Sequence, residues 1–175
     1  IGVDLGGRRI IKKKMGYHSQ IILNGRKVND SMGAFVADAA IKQMIEAGMA
    51  PKKATVLILG ITFKENCPDT RNSKVVDIIN RLKEFEIEPI VTDSWADAAV
   101  AKKEYGVELV PFAKIPKADC VIVAVGHNEF RSMSMMQIKE LFKDELPDEE
   151  KVLIDVKSLY RRDELDASGM RYWRL

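Results

Sequence analysis

The stretch from Thr55 to Ser73 constrains the fold of this chain more than any other. Its first residues, 55–61, are an almost unbroken apolar run, which is typical of a strand buried on both faces. Residues 74–86 carry apolar side chains at helical spacing, and a short polar loop separates the two segments. A strand, a polar loop and a helix form the first unit of a doubly wound α/β domain, whose ligands bind just outside the carboxyl ends of the strands. Lys64 and Arg71 in the loop therefore suggest an anionic ligand such as a phosphate.

Strands and helices alternate from residue 53 onward, which favours βαβ units around a parallel sheet. The predicted strands lie near 55–61, 88–92, 107–110, 119–125, 151–156 and 170–174. The predicted helices lie near 73–86, 95–104 and 134–145. The expected fold class is therefore α/β, with a doubly wound, Rossmann-like parallel sheet.

A long amphipathic helix is predicted ahead of the sheet, over residues 29–48. Its apolar residues recur at spacings of three and four, namely Met32, Phe35, Val36, Ala39, Ala40, Met44 and Ile45. The predicted cap is Asn29, Asp30 or Ser31, and the predicted stop is Gly48 followed by Pro51. Because the helix precedes a complete α/β unit, we expect its apolar stripe to be covered by something outside that unit. Residues 1–28 contain several glycines and are predicted to be loop and short helix.

Composition limits the classes of function. A chain of 175 residues can hold one full domain plus an extra helical element. The net charge of +2 is too small to argue for a nucleic-acid or membrane partner, and no apolar run approaches the ~20 residues of a membrane span. Two cysteines, Cys67 and Cys120, cannot form a disulfide framework and fit a reducing cytoplasm. Since the first residue is Ile rather than Met, we expect the chain to be part of something longer.

The order of short motifs resembles one known family. Gly60-Ile-Thr-Phe-Lys64, followed by Asn66, Asp69-Thr-Arg71 and Ser73, resembles the signature that opens the C-terminal domain of the UDP-glucose/GDP-mannose dehydrogenase family. The branch that oxidises UDP-N-acetylhexosamines is the most similar. Supporting motifs follow the family's order: Ile1-Gly-Val-Asp4, Gly16-Tyr-His18, Gly25-Arg26 with Asn29, Thr92-Asp93 with Trp95, Val123-Ala-Val with His127, and Asp155-Val-Lys157. Because family members are longer, the resemblance implies a linker and dimerisation segment over 1–52 and a UDP-sugar-binding domain over 53–175.

The resemblance also implies an activity and a set of residue roles. Family members oxidise the C6 alcohol of a UDP-sugar to a carboxylate, for surface polysaccharide synthesis, with NAD as the hydride acceptor and a cysteine that holds the intermediate. That cysteine is expected just before Ile1, so this chain alone is expected to be inactive. Asp4 matches the carboxylate that assists the thiol. Lys64 and Lys157 match residues that bind the substrate, and Arg71 matches a residue that contacts NAD. The helix at 29–48 is expected to form a homodimer.

One part of the first motif departs from the family. Where this branch has Pro-Tyr-Tyr-Leu after the aspartate, this chain has Leu5-Gly6-Gly7-Arg8. The substrate pocket is therefore expected to differ here, or the start of the chain to be atypical.

Several residues have two readings on the sequence alone. Asp93 is placed either to hold a ribose hydroxyl or to cap a helix ahead of Trp95. His127 follows a strand, where a histidine is more often an ordinary loop residue than a ligand or base. Cys67 lies near two cations, yet an inert loop cysteine is the favoured interpretation, and Cys120 is expected in the core. No metal site is predicted.

Two functions fit the composition and periodicity equally. One is the enzyme part described above, and the other is a stand-alone nucleotide-binding or regulatory module without catalysis. Lys64 and Arg71 would be ordinary surface cations in a purely structural interpretation of their spacing.

Overall fold

The computed structural model describes residues 20–175, with side chains from residue 31 onward. The chain divides into two units, Ile1–Ser31 and Met32–Leu175. The sheet, its helix layers and the loops of the candidate site all belong to the second unit. Asp4 and the motifs before residue 20 lie outside the described residues.

A parallel sheet of five strands organises the described part of the chain. The strands are β1 (Val56–Leu59), β2 (Ile90–Thr92), β3 (Cys120–Val123), β4 (Val152–Asp155) and β5 (Arg171–Arg174). Their order is β2-β1-β3-β4-β5, with Leu59 beside both Thr92 and Val123. This is one of the two common orders of doubly wound sheets, so the predicted fold class is confirmed.

The helices that accompany the sheet are α1 (Gln20–Glu46), α2 (Val75–Glu84), α3 (Ala98–Tyr105), α4 (Asn128–Arg131), α5 (Met135–Lys139) and α6 (Arg162–Ser168). Short 3-10 turns lie at Pro51–Lys53, Phe112–Lys114 and Asp148–Glu150. Within residues 20–175, no helix is long and apolar enough to cross a bilayer.

Alternate residues of each central strand face opposite hydrophobic layers. Val56 and Ile58 of β1 pack with α2 and the C-terminal half of α1, whereas Leu57 and Leu59 pack with α4, α5 and α6. A strand has a side-chain period of two, so a strand covered on both faces must be apolar throughout. This explains why the run at 55–61 contains no polar alternation.

The C-terminal half of helix α1 packs on the sheet and on α2. Five of its side chains are buried in the same cluster as α2 and β1: Val36, Ala37, Ala40, Ile41 and Met44. The expectation that this stripe is covered from outside the α/β unit is therefore wrong for these residues. Phe35 and Ile45, also on this helix, remain 54% and 58% exposed.

The ends of α1 differ in how well the sequence predicted them. Gly48 adopts a φ of +79°, and the Met49 N–H donates to the Met44 carbonyl at 2.9 Å. This C-terminal motif confirms Gly48 as the stop. The start is wrong, because the helix already includes Gln20 and passes through the three proposed cap residues. Part of the segment predicted as loop and short helix is thus regular helix.

Two other predicted elements are wrong. The strand at 107–110 reduces to a single bridge between Leu109 and Val91, because Pro111 has no N–H to continue a ladder. The helix at 134–145 ends at Lys139. Beyond it, the Ala118 N–H donates to the Leu141 carbonyl at 2.9 Å, and the Ala118 carbonyl accepts from the Lys143 N–H at 3.0 Å. These bonds hold the chain in a bridge to the sheet instead of a helix. The short helices α4 and α6 were not predicted.

Candidate functional site

The carboxyl ends of β1 and β3 lie side by side at the switch point of the sheet. The chain leaves β1 toward the layer of α2 and leaves β3 toward the layer of α4 and α5, so the two connections run to opposite faces of the sheet. Doubly wound domains bind their ligands at this place. The loops that follow β1, β2 and β3 are joined here by one network of hydrogen bonds.

Gly60 allows the chain to turn sharply at the end of β1. Its φ is +90°, and a Cβ at this position would lie 2.5 Å from the Cβ of Val125 in the loop after β3. Its N–H donates to the Thr92 carbonyl at the end of β2, at 2.8 Å. A side chain at this position would force the β1 and β3 loops apart.

Asp93 accepts hydrogen bonds from the loops around it. Oδ2 accepts from the backbone N–H groups of Ile61 and Thr62, at 2.7 and 3.2 Å, and Oδ1 accepts from those of Trp95 and Ala96, at 2.8 and 3.0 Å. The side chain is fully buried. Burial by itself raises the pKa, but the hydrogen bonds from His127, Ile61, Trp95 and Ala96 outweigh it and lower the pKa of Asp93 to about 2. The carboxylate therefore stays charged inside the protein.

His127 has a defined tautomer because its partners leave no alternative. Its Nδ1 faces the N–H of Asn66 at 2.9 Å and must accept, so the neutral ring carries its proton on Nε2. Nε2 then donates to Oδ2 of Asp93 and to Oγ1 of Thr62, each at 3.1 Å. Thr62 is free to accept because its own hydroxyl donates to the Lys64 carbonyl at 3.0 Å.

Asn66 connects the loop after β1 to the loop after β3. Its N–H is bound to His127, and its Oδ1 accepts from the N–H of Asn128 at 3.0 Å. Its φ is +54°, a conformation that asparagine tolerates better than most residues. The loop is also closed at its base, where the Phe63 N–H donates to the Asp69 carbonyl at 2.7 Å.

The three cationic residues predicted to bind ligands, Lys64, Arg71 and Lys157, differ in whether their side chains have protein partners. Arg71 forms a bidentate pair with Asp69, with Nε to Oδ1 at 2.9 Å and Nη2 to Oδ2 at 2.8 Å. The hydrogen bonds from the Arg71 side chain and backbone lower the pKa of Asp69 to about 2, with a smaller contribution from the charge of Lys64. The side chains of Lys64 and Lys157 are exposed and form no hydrogen bond or ion pair with another residue of the described part of the chain. Both side chains are therefore available to a ligand at this edge.

Lys157 follows β4, the strand next to β3. The turn that presents it is built on the buried Asp155, which accepts from the N–H groups of Leu159 and Tyr160 at 3.0 and 3.1 Å. The carboxyl edge thus carries one lysine after β1 and another after β4.

The structure places each of the residues that had two interpretations. Asp93 is fully occupied by protein donors, which argues against a ribose contact, and the N-cap of α3 is Asp97. His127 is a buried loop residue. Cys67 is half-buried, and Cys120 lies in the core, where burial raises the pKa of its thiol. Among residues 20–175, no group of three or more His, Cys, Asp or Glu side chains could hold a metal ion.

A cleft of about 420 Å³ opens on the same edge, lined by Thr92, Ser94, Phe112, Glu129, Phe130, Met133 and Gln137. At its mouth the Glu129 carboxylate accepts from the Ser94 hydroxyl and, at 3.3 Å, from the indole Nε1 of Trp95. Its volume is within the range of small-molecule pockets, about 300–1,000 Å³. Neither Lys64 nor Lys157 lines this cleft, so the cations and the cleft are separate features.

The fold and the site together define an α/β domain of the type that binds a ligand at the carboxyl edge of its sheet. Residues 57–162 match the model of the UDP-glucose/GDP-mannose dehydrogenase family, UDP binding domain. This match covers more than half of the chain, which therefore belongs to that family.

Two curated relatives match nearly the whole chain. It is 42% identical over 166 residues to a UDP-N-acetyl-D-glucosamine 6-dehydrogenase of Pseudomonas aeruginosa, covering 95% of this chain and 38% of the relative. It is 38% identical over 175 residues to Protein CapL of Staphylococcus aureus, covering 100% of this chain and 40% of the relative. The chain thus spans about two fifths of the length of these relatives.

Solved structures show the same fold. An NDP-N-acetyl-D-galactosaminuronic acid dehydrogenase from Methanosarcina mazei Go1 superimposes with a TM-score of 0.76 at 21% identity, covering 90% of this chain and 32% of that one. A UDP-D-ManNAc dehydrogenase from Pyrococcus horikoshii superimposes with a TM-score of 0.75 at 20% identity, covering 93% and 35%.

Sequence reasoning missed how the loops are joined. Thr62 and Asn66 carry no signal that they would meet the two nitrogens of one histidine 61 or more residues later in the chain. Asp93 and His127 each follow a predicted strand, and that placement was the available hint that they would share an edge.

Proposed function

We propose that the chain is the UDP-sugar-binding part of an NAD-dependent nucleotide-sugar 6-dehydrogenase of the cytoplasm. In the whole protein, the C6 alcohol of a UDP-N-acetylhexosamine is oxidised to a uronate that serves as a precursor of surface polysaccharide. NAD takes up the hydride in each oxidation step. The names of the relatives and the family to which the chain belongs support this reaction class.

Lys64 carries the proposal. Its side chain is exposed and unpaired among residues 31–175, and it lies in the loop after β1, at the switch point of a sheet that matches a UDP-binding domain. Lys64 and Lys157 bind the anionic UDP-sugar from the loops after β1 and β4, the two strands that flank β3. Arg71 contacts NAD and shares its guanidinium with Asp69, while Asp4 assists the thiol chemistry of a cysteine expected before Ile1.

The proposed organisation has a linker and dimerisation segment over 1–52 and a UDP-sugar-binding domain over 53–175. The exposed side chains Phe35 and Ile45 on α1 support a homodimer, because large apolar groups gain about 1.5–3 kcal/mol each on full burial. The partner would cover the side of α1 that its own domain leaves open.

Titration of the 175-residue chain with UDP, followed by ¹H–¹⁵N NMR, tests the binding site. Lys64→Ala should weaken UDP binding roughly tenfold, since a hydrogen bond to a charged group is worth about 1.5 kcal/mol or more. Lys103→Ala is the matched control, because Lys103 is an exposed lysine of α3. Equal affinity of wild type and Lys64→Ala would remove Lys64 from the site.

The reaction is tested by NADH formation with NAD and a panel of UDP-glucose, UDP-GlcNAc, UDP-GalNAc and UDP-ManNAc. The 175-residue chain should form no NADH, whereas a longer protein that supplies a dinucleotide-binding half and the cysteine should. Turnover by the short chain that is lost in Cys67→Ser would contradict both the reaction scheme and the inert interpretation of Cys67. UDP binding without turnover in the longer protein would favour a regulatory module.

A further inference from the structure

We infer that His127 is a positioning residue, which fixes the loop after β1 so that Lys64 meets the anionic ligand in one defined place. The inference rests on the proposed function of Lys64. It concerns how that lysine is held and adds no contact between His127 and the ligand, since His127 is 0% exposed.

The imidazole holds the chain on both sides of Lys64. On the N-terminal side, Nε2 donates to Oγ1 of Thr62, and that hydroxyl donates in turn to the carbonyl of Lys64 itself. On the C-terminal side, Nδ1 accepts from the N–H of Asn66. One rigid ring thereby sets the backbone at two points around the lysine.

The loop needs this support because its conformation is not the one the chain prefers. Asn66 is held at a φ of +54°, which for a residue other than glycine persists when surrounding contacts enforce it. Asn128, next to His127 in the chain, supplies the second contact through its N–H. The Lys64 side chain is exposed and unpaired among the described residues. Its position is therefore determined by the hydrogen bonds that hold the loop backbone around it.

Asp93 makes the arrangement specific to a histidine with one tautomer. Its carboxylate accepts from Nε2, which leaves the Nδ1 lone pair for Asn66. If the proton were on Nδ1 instead, the ring N–H would face the N–H of Asn66, and the hydrogen bond between the two residues would be lost. Positioning therefore depends on the acceptor at Nδ1 more than on the donor at Nε2.

Two variants separate these halves of the imidazole. His127→Asn places an amide oxygen near the position of Nδ1, so it retains an acceptor for Asn66 and loses the donor to Asp93 and Thr62. His127→Gln places its amide nitrogen near Nε2, so it retains the donor and leaves the Asn66 N–H without an acceptor. If His127 contributed only to overall stability, His127→Asn and His127→Gln would affect the Asn66 N–H alike.

Amide hydrogen exchange of Asn66 in the 175-residue chain reads the loop directly. We expect exchange in His127→Gln to be at least about tenfold faster than in wild type, and exchange in His127→Asn to stay within about threefold of wild type. Equal exchange in the two variants would overturn the inference, whatever their UDP affinity. If His127→Gln does not fold, His127→Asn decides by itself, because exchange of its Asn66 amide more than about threefold faster than in wild type would overturn the inference.

UDP affinity then connects the loop to the ligand. His127→Gln should weaken UDP binding about as much as Lys64→Ala, and adding it to Lys64→Ala should change the affinity less than twofold, because both act through one contact. Full additivity of the two changes would overturn the inference while leaving Lys64 as a binding residue. If wild type and Lys64→Ala bound UDP equally well, the proposed function would instead be refuted, and with it any role of His127 toward this ligand.

Discussion

Replacement of Asp93 by asparagine tests whether one buried charge holds the loops of the carboxyl edge together. The side chain is fully buried, and its pKa is lowered from 3.8 to about 2. Since one pKa unit corresponds to about 1.4 kcal/mol, the charge stabilises the folded state by about 2 kcal/mol at neutral pH. Asparagine would also turn an NH₂ group toward backbone donors, so we expect Asp93→Asn to lower the free energy of unfolding by about 2–4 kcal/mol.

The lowered pKa of Asp93 determines how the loss of stability in Asp93→Asn depends on pH. Because the folded-state pKa lies below that of the unfolded chain, the stabilisation is complete above about pH 5 and is lost as the pH falls from about 4 through about 2. Roughly half of the contribution of the charge should be gone at about pH 3. The difference in unfolding free energy between wild type and Asp93→Asn should therefore shrink by about 1 kcal/mol between about pH 6 and pH 3.

Urea unfolding followed by circular dichroism at the two pH values measures both quantities. Asp97→Asn is the matched control, because Asp97 accepts from Ala99 and Val100 through Oδ1 alone, at 2.8 and 3.1 Å. Asparagine caps a helix about as well as aspartate, so this control should stay within about 0.5 kcal/mol of wild type. The reasoning is refuted if Asp93→Asn is as stable as the control, or if its deficit is the same at both pH values.

Three further predictions concern the turn, the proposed dimer and the proposed cofactor contact. Gly60→Ala should cost about 3 kcal/mol or more in urea unfolding, whereas Gly106→Ala, also at positive φ but with nothing within 4 Å of its added Cβ, should cost about 1–2 kcal/mol; equal costs would show that the contact with Val125 relaxes freely. Phe35→Glu should convert a dimer to monomers in light scattering, and a wild-type monomer would contradict the interface. In the longer protein, Arg71→Ala should raise the KM for NAD more than that for the UDP-sugar, and unchanged kinetics would leave Arg71 as a partner of Asp69 alone.

The first unit of the sheet could be predicted because its signals are local. Residues 55–61 are apolar on both faces, and Val75, Ile78, Ile79 and Leu82 recur at the spacing of a helix. The positions of Lys64 and His127 at one edge also followed, since parallel strands present their carboxyl ends together. These inferences need only periodicity and strand direction.

What could not be predicted depends on contacts between distant residues. The apolar stripe of α1 has the same sequence pattern whether its own domain or a partner subunit covers it. In the structure, its own domain covers Val36 and Met44. The end of α5 is set by Ala118, which lies more than twenty residues earlier, and no local breaker marks it. The pairing of Arg71 with Asp69 was hidden for another reason: two residues apart in a loop of unknown shape, they could equally have pointed away from each other.

The imidazole joint between Asp93, His127 and Asn66 limits how this protein can change over generations. A lineage that exchanges His127 for a residue without an acceptor at the Nδ1 position leaves the part-buried N–H of residue 66 without its partner, and because that N–H belongs to the backbone, a new side chain at position 66 does not remove the cost. Asp93 is tied to the same exchange, because its charge is sheltered from water and stabilised by the donors around it. Substitutions at His127 and Asp93 should therefore arise together or in quick succession, whereas the exposed Lys64, which the joint supports, can be replaced independently whenever the ligand changes.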